Sequence, residues 1–195
     1  MGGCNSLGVL YEQGWGVTQD YPRAISLYTQ ACDGGNADGC FSLGLLYHNG
    51  TGVAQDYKLT RSFYQKACDS DQASACSNLG ILYNDGKGVT RDLKEASALY
   101  QKACDGGAME GCNNLGALYG NPLGALVGFP PDFNRARSLY QKACDSGEMQ
   151  SCANLAEMFE RGNGGPRDSK EARTLNKKAC DGGLQSACDA LGKHR

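Results

Sequence analysis

Ten of the chain's eleven cysteines fall into five pairs of constant separation: Cys32 with Cys40, Cys68 with Cys76, Cys104 with Cys112, Cys144 with Cys152 and Cys180 with Cys188. An aspartate follows the first cysteine of every pair. Two thiols at this spacing could form a disulfide, share a metal ion, or stay reduced and pack as small apolar groups. No recurring histidine accompanies the pairs, and the spacing is not that of the usual zinc sites. It is also not the Cys-x-x-Cys of thiol oxidoreductases. Cysteine-dense proteins built of small units are commonly oxidised. Five disulfides are therefore the expectation, with buried thiols as the alternative and no metal or cofactor. Cys4 aligns with the second cysteine of each pair and has no partner within the chain.

Other chemistry is hard to find. The Ser-x-x-Lys, Ser-Asp-Asn and Lys-Thr-Gly motifs of serine β-lactamases are absent. The spacing of Thr174-Leu-Asn-Lys177 is related but falls on a repeated helical face. No HExxH or nucleophile elbow occurs. His48 and His194 are the only histidines; neither has a motif around it, and both read as solvated. Glycine-rich loops precede helices, as in phosphate sites, but they lack the GxxxxGK[ST] signature and recur as punctuation. No catalytic residue is assigned. Net charge is −2 with no basic run, which argues against nucleic acid as a partner. No stretch is apolar enough to span a membrane.

The elements that carry the cysteines follow from the spacing. In one continuous helix, residues eight apart lie about 12 Å apart along the axis, whereas a disulfide needs Cα atoms within about 7 Å. Paired cysteines thus require the chain to turn between them. Asp33-Gly-Gly and Asp105-Gly-Gly supply residues suited to a left-handed helix end. Lys66, Lys102, Lys142 and Lys178 stand near that end, where a cation suits the helix dipole. One helix ends near the first cysteine and another begins near the second.

The second cysteines recur every 36 residues, with one insertion of four. A period of this size indicates a solenoid. The repeats are 1–35 (partial), 36–71, 72–107, 108–147 with the insertion, 148–183 and a capping half-repeat, 184–195, all in one domain. The first helix of each repeat shows one face at Cys40, Leu43, Gly44 and Tyr47, or Cys76, Leu79, Gly80 and Tyr83. Gly44, Gly80 and Gly116 cost helix propensity and indicate close approach of a neighbouring helix. A Gly-x-Gly-Val loop follows. Asp20, Asp56, Asp92, Asp132 and Asp168 are N-caps for the second helix, and Asp92/Glu95 and Asp168/Glu171 have capping-box spacing. The second helix places Ala24, Leu27, Tyr28, Ala31 and Cys32 on one face, repeated as Ala96, Leu99, Tyr100, Ala103 and Cys104. In the fourth repeat Phe129 takes the valine slot, and Leu123, Leu126 and Val127 have no evident place in a core. The fifth repeat has Ala156 for the glycine and Asn176 for the tyrosine.

A binding face can be placed opposite the core stripe of the first helices, at positions +1, +2, +5 and +9 from the second cysteine. These are Asn5, Ser6, Val9 and Gln13; Phe41, Ser42, Leu45 and Asn49; Ser77, Asn78, Ile81 and Asp85; Asn113, Asn114, Ala117 and Asn121; and Ala153, Asn154, Glu157 and Arg161. Helices of one kind usually line the concave side of a solenoid. The amides of Asn78, Asn114 and Asn154 can both donate and accept, as an extended peptide backbone requires. The alternative is that these amides only bridge neighbouring repeats.

The pattern Leu79-Gly-x-x-Tyr83-x-x-Gly86-x-Gly88-Val-x-x-Asp92, followed by Ala96-x-x-x-Tyr100-x-Lys-Ala103, resembles the Sel-like repeat, a relative of the tetratricopeptide repeat. The added cysteine pairs are similar to those of its cysteine-rich branch, the Helicobacter cysteine-rich protein family. The resemblance implies an all-α, right-handed superhelical solenoid of disulfide-stapled helix pairs, in a periplasmic or secreted protein. The repeat architecture, the amide row and the absence of catalytic motifs point to a non-enzymatic scaffold that holds a protein or peptide, cell-envelope peptides included, in the concave groove. The resemblance adds a weak β-lactam-binding or β-lactamase activity as one alternative, and a mitochondrial intermembrane-space assembly role is another. Met1-Gly-Gly-Cys4 carries no apolar leader. With Cys4 in mid-repeat, the expectation is that a preceding segment has been removed, or that the compartment traps oxidised proteins without one.

Overall fold

The computed structural model describes residues 2–192. Helices fill it, and there is no strand among the described residues. Two compact units divide the chain, Met1–Gly106 and Gly107–Arg195. The first holds α1 (Gly2–Gln13), α2 (Tyr21–Asp33), α3 (Ala37–Asn49), α4 (Tyr57–Asp69), α5 (Ala73–Asp85) and α6 (Leu93–Asp105). The second holds α7 (Met109–Gly120), a 3-10 turn (Gly124–Val127), α8 (Phe133–Asp145), α9 (Met149–Arg161), α10 (Ser169–Asp181) and α11 (Gln185–Gly192). Within each unit every helix packs on the next, as in a solenoid. Odd-numbered helices are the first of their repeats and even-numbered helices the second.

The ten paired cysteines are oxidised. Cys32–Cys40, Cys68–Cys76, Cys144–Cys152 and Cys180–Cys188 are bridged with Cα separations of 4.5, 4.7, 4.7 and 4.8 Å. Cys104 and Cys112 are disulfide-bonded as well. Cys4 is a free, half-exposed thiol. The turn inside each bridge needs one left-handed residue. Gly35, Gly107, Gly147 and Gly183 supply it with φ of 84, 91, 91 and 94°, and Asp71 takes the same place at 61°.

The core repeats one contact. A Cβ added to Gly8, Gly80 or Gly116 would stand 2.6, 2.7 or 2.8 Å from a ring carbon of Tyr28, Tyr100 or Tyr140, and Gly44 faces Tyr64 in the same way. These glycines let the tyrosine of the second helix lie on the backbone of the first. The rings are almost fully buried, with Tyr28 and Tyr64 at 0 and 1% exposure. The fifth repeat explains its own departure: Ala156 is fully buried where no tyrosine ring opposes it, because Asn176 stands at the tyrosine position.

Three details differ from the sequence reading. The capping boxes at Asp92 and Asp168 lose their return bond. The aspartate amide donates instead to a carbonyl of the preceding first helix, Asp20 to Tyr11 at 2.9 Å, Asp92 to Tyr83 at 2.9 Å and Asp168 to Phe159 at 3.0 Å. Asp132 does the same to Tyr119 at 2.9 Å, so the insertion is closed at its base like the shorter loops. The lysines before the turn serve more than their own helix end. Lys102 Nζ donates to the Cys68 carbonyl at 2.6 Å, and Lys178 Nζ to the Cys144 carbonyl at 2.9 Å. Each ties the end of one second helix to that of the repeat before. The second loop glycine is also more than punctuation: a Cβ on Gly88 or Gly164 would meet the carbonyl oxygen of Tyr57 or Phe133 at 2.6 Å. These loops pack on the start of the preceding second helix.

A methyl group at Gly80 must displace the Tyr100 ring. The overpacking cost of about 1–3 kcal/mol exceeds the gain of about 1 kcal/mol in helix propensity. Gly80→Ala is expected to lower stability by about 1 kcal/mol in urea denaturation. In a Tyr100→Asn background the same change should become neutral or stabilising, reproducing the Ala156/Asn176 pair. Equal costs in both backgrounds would show that the ring does not set the glycine requirement.

Candidate functional site

The first helices present the predicted face, and each unit is described separately. In the first unit Phe41, Leu45 and Ile81 are half-buried, while Asn49 and Asp85 are exposed. On α1, Val9 and Asn5 are half-buried and Gln13 is exposed. The Phe41 ring lies 5.8 Å from that of Tyr64. The polar +2 residues turn toward the core tyrosines of the preceding repeat. Ser42 bonds to the Tyr28 hydroxyl, which also donates to Glu12 Oε2 at 2.5 Å. Asn78 bonds to the Tyr64 hydroxyl. Burial pushes the Tyr64 phenol up to about 12, and the Asn78 bond opposes that rise. Burial likewise raises Tyr28, Tyr100 and Tyr140 above the usual phenol value, with Glu12, Asp85 and Glu157 adding to the rise in turn.

In the second unit the +1 and +2 amides meet each other. Asn113 Oδ1 accepts from Asn154 Nδ2 at 2.8 Å and from Ser151 Oγ at 3.0 Å. Asn154 Oδ1 in turn accepts from Gln150 Nε2 at 3.1 Å. This network joins α7 to α9. Asn114 is half-buried, and in the first unit Ser77 is buried. Asn121 ends α7, and its Oδ1 accepts the Leu123 amide at 3.0 Å. Ala117 and Glu157 are exposed, Ala153 is half-buried, and Glu157 pairs with Arg161 at 2.7 Å. Asn78 and Asn154 therefore bridge neighbouring helices, which is the alternative role their spacing allowed. The fully exposed members of the face lie at +9 in both units and at +5 in the second, with Ser6 the one exposed member at +2.

His48 departs from the solvated histidine of the sequence reading. It lies half-buried in the last turn of α3, its ring 5.6 Å from Tyr57 in an edge-on arrangement and 6.3 Å from Tyr64. Its Nδ1 is buried with no hydrogen-bond partner. Burial lowers its pKa below the ordinary 6.5, and the positive charge of Lys87 lowers it further. Asp85, one repeat on, pairs with Lys87 at 2.9 Å, and this bond holds its carboxyl below the usual value. No sequence signal marks His48, because its surroundings come from α4 and the following repeat. His194 lies outside the described residues. Leu123, Leu126 and Val127 are 64, 82 and 49% exposed on the insertion. Phe129 fills the valine slot against Tyr119, ring to ring at 5.1 Å.

Among the described residues no cluster of His, Cys, Asp and Glu could hold a metal ion, and no helix is long and apolar enough to cross a membrane.

His48 gives a pH dependence of defined sign. A depressed pKa in the folded state means that the unfolded chain takes up the proton first. Its contribution to stability is complete above about pH 6.5 and is lost as pH falls from there through the folded pKa. The urea midpoint is expected to drop between pH 7.5 and 5.5, and His48→Gln should flatten that slope. An unchanged slope in the variant would assign the effect to other groups.

Comparison with known proteins extends the geometry. The Sel1 repeat model matches residues 3–36, 37–72, 73–107, 110–148 and 150–184. No curated protein sequence matches the chain. Among solved structures, a Sel1 repeat protein from Oxalobacter formigenes is 29% identical with a TM-score of 0.88, over 96% of this chain and 73% of that one. A protective antigen present in uropathogenic Escherichia coli strains, displaying an SLR fold, is 31% identical with a TM-score of 0.88 over 97% of this chain. The match spans only 40% of that antigen's length. Cysteine rich protein B of Helicobacter pylori is 27% identical with a TM-score of 0.55, over 73% of this chain and 99% of its own. With its repeat units matched almost end to end, the chain belongs to the Sel1 repeat family.

Proposed function

We propose that the chain is a non-enzymatic scaffold that holds a protein or peptide partner on the exposed faces of its first helices. The observation that carries this reading is the composition of those faces. In the first unit half-buried apolar side chains, Val9, Leu45 and Ile81, recur one per repeat beside polar groups such as Asn49 and Asp85. Such a mixture suits a peptide that places alternate side chains on apolar spots and its backbone on polar rims. The amides at +2 contribute indirectly, by fixing the spacing between repeats. The family supports a scaffold in general, and the identity of the partner is left to the chemistry of the face.

Two variants separate recognition from architecture. Leu45→Asp with Ile81→Asp puts charge on the face and is expected to cost a bound partner at least about tenfold in affinity, with a lowered melting temperature from the lost half-buried apolar area but a circular dichroism spectrum that still shows the folded helices. Asn78→Ala removes the Tyr64 bond and should lower stability by about 1 kcal/mol. Undiminished binding by the double variant would sink the reading. So would repeated turnover of a chromogenic β-lactam by the folded protein that disappears on unfolding.

We further propose that the protein works in an oxidising compartment, periplasmic or extracellular. In the chain-entropy model each bridge contributes about 2–3 kcal/mol, which a reducing cytosol would withdraw. Alkylation without reductant, followed by intact-mass measurement on protein taken from its native compartment, is expected to leave the ten paired cysteines unlabelled. Eleven labelled thiols would overturn the assignment.

A further inference from the structure

The fifth repeat breaks the tyrosine pattern at two places that face each other. In the first unit the hydroxyl of a core tyrosine bonds to the polar +2 residue of the next first helix, Tyr28 to Ser42 and Tyr64 to Asn78. In the fifth repeat the tyrosine position holds Asn176, and the +2 residue that follows is Ala190 on α11. No other repeat makes either change. Together they leave a hollow of about 320 Å³ between α9 and α11, whose lining includes Asn176, Ala190, Ala153, Ala187, Glu157 and Glu160. Ala190 lies on the flank of α11 that faces the preceding repeat, as Ser42 and Asn78 do on their helices. The hollow therefore arises from substitutions inside the repeat pattern.

The hollow keeps the acceptor that a phenol uses elsewhere. In the first repeat the Tyr28 hydroxyl donates to Glu12 Oε2 at 2.5 Å, across sixteen residues of chain. Glu160 stands at the place of Glu12 in its repeat, with Asn176 at the place of Tyr28. The other repeats have His48, Asn84 and Gly120 there. Glu160 Oε2 accepts from Ser169 Oγ at 3.1 Å and from Arg167 Nη2 at 3.3 Å. Both bonds go to one oxygen and fix the carboxylate at the wall of the hollow. Asn176 is half-buried and makes no hydrogen bond among the described residues, and its amide can both donate and accept.

We propose that this hollow takes a tyrosine side chain of a protein or peptide partner, with its ring on the alanine lining and its hydroxyl donating to Glu160. The Ala156 methyl is fully buried where Gly80 leaves room for Tyr100, so the guest ring rests on alanine side chains rather than on helix backbone. An aromatic body with a polar tip suits a site that is apolar at its floor and carboxylate at its wall. A lysine or arginine side chain fits less well, because Arg161 and Arg167 already answer Glu157 and Glu160. The proposal rests on the reading of the first-helix faces as the partner surface, and adds the side chain that the second unit selects.

The test is an NMR titration of the isotopically labelled, oxidised full chain with N-acetyltyrosinamide. Shift changes are expected at the amides of Asn176, Ala187 and Ala190. N-acetylphenylalaninamide should bind about fivefold more weakly, for want of the hydroxyl bond. Asn176→Tyr with Ala156→Gly restores the ring and its glycine, and should abolish binding while raising the urea midpoint. Ala190→Asn returns only the +2 amide and should weaken binding. Leu45→Asp with Ile81→Asp should bind N-acetyltyrosinamide as the unaltered chain does, so a failure of the first-unit face is told apart from a failure of the hollow. The proposal fails if the unaltered chain shows no shifts at these amides, or if both filling variants bind as well as it does. It fails equally if N-acetylphenylalaninamide binds as tightly as the tyrosine probe, or N-acetyllysinamide more tightly.

Discussion

A tyrosine ring lying on a helix backbone governs the spacing of the helix pairs. The ring needs a glycine opposite it, because a Cβ at Gly8, Gly80 or Gly116 would come within 2.6–2.8 Å of ring carbon. The residue most costly to helix propensity after proline is thus retained in the middle of a helix. Its cost is offset by burying an aromatic ring, a large apolar gain. The hydroxyl of the same tyrosine stays near the rim of the core, where Glu12 and Ser42 reach Tyr28 and Asn78 reaches Tyr64. Packing inside one repeat and polar bonding to the next therefore share one side chain.

Around that contact the covalent and polar ties divide the work. Disulfides join the second helix of one repeat to the first helix of the next, over turns that need a left-handed residue. The N-cap aspartates join first helix to second, through an amide donated to the carbonyl seven residues beyond the second-cysteine position. Lys102 and Lys178 tie second helix to second helix through the carbonyl of the preceding first cysteine. Each neighbour relation in the solenoid has its own short-range device, so the repeat tolerates an insertion in its loop. The loop from Tyr119 to Asp132 is longer by four residues, yet its ends meet through the same bond as the others. What the insertion adds, Leu123, Leu126 and Val127, remains on the surface.

This economy leaves the exposed faces free to vary. Outside the ties, positions +5 and +9 of the first helices and the outer stripe of the second helices carry little structural duty. Repeat proteins acquire binding surfaces in this way. The first-helix face of the first unit, with Val9, Leu45 and Ile81 one per repeat, is such a surface. His48 is the exception. It sits beside the first-helix face with a buried nitrogen that nothing satisfies, so its protonation state bears on the stability of the unit that presents the face.

The sequence by itself determined the repeat, its period, the two helices and their core faces, because these depend on local periodicity and on cysteines at fixed spacing. It also determined that one helix must end and another begin between paired cysteines, since a single helix would hold them too far apart. The helical glycines mark points of close approach, though local periodicity does not say that a tyrosine lies opposite each. Only the tertiary structure decided what the polar groups do. Asn78, Asn154 and the repeated lysines look from the sequence like surface groups, but their partners lie on other helices, up to 41 residues away. The capping boxes lost their return bond for the same reason: a carbonyl from another helix took the amide. His48 looks solvated in the sequence because the rings that enclose it come from α4. A periodic pattern fixes which side of a helix is buried, whereas hydrogen-bond partners depend on the distance between elements, and that distance exists only once they have packed.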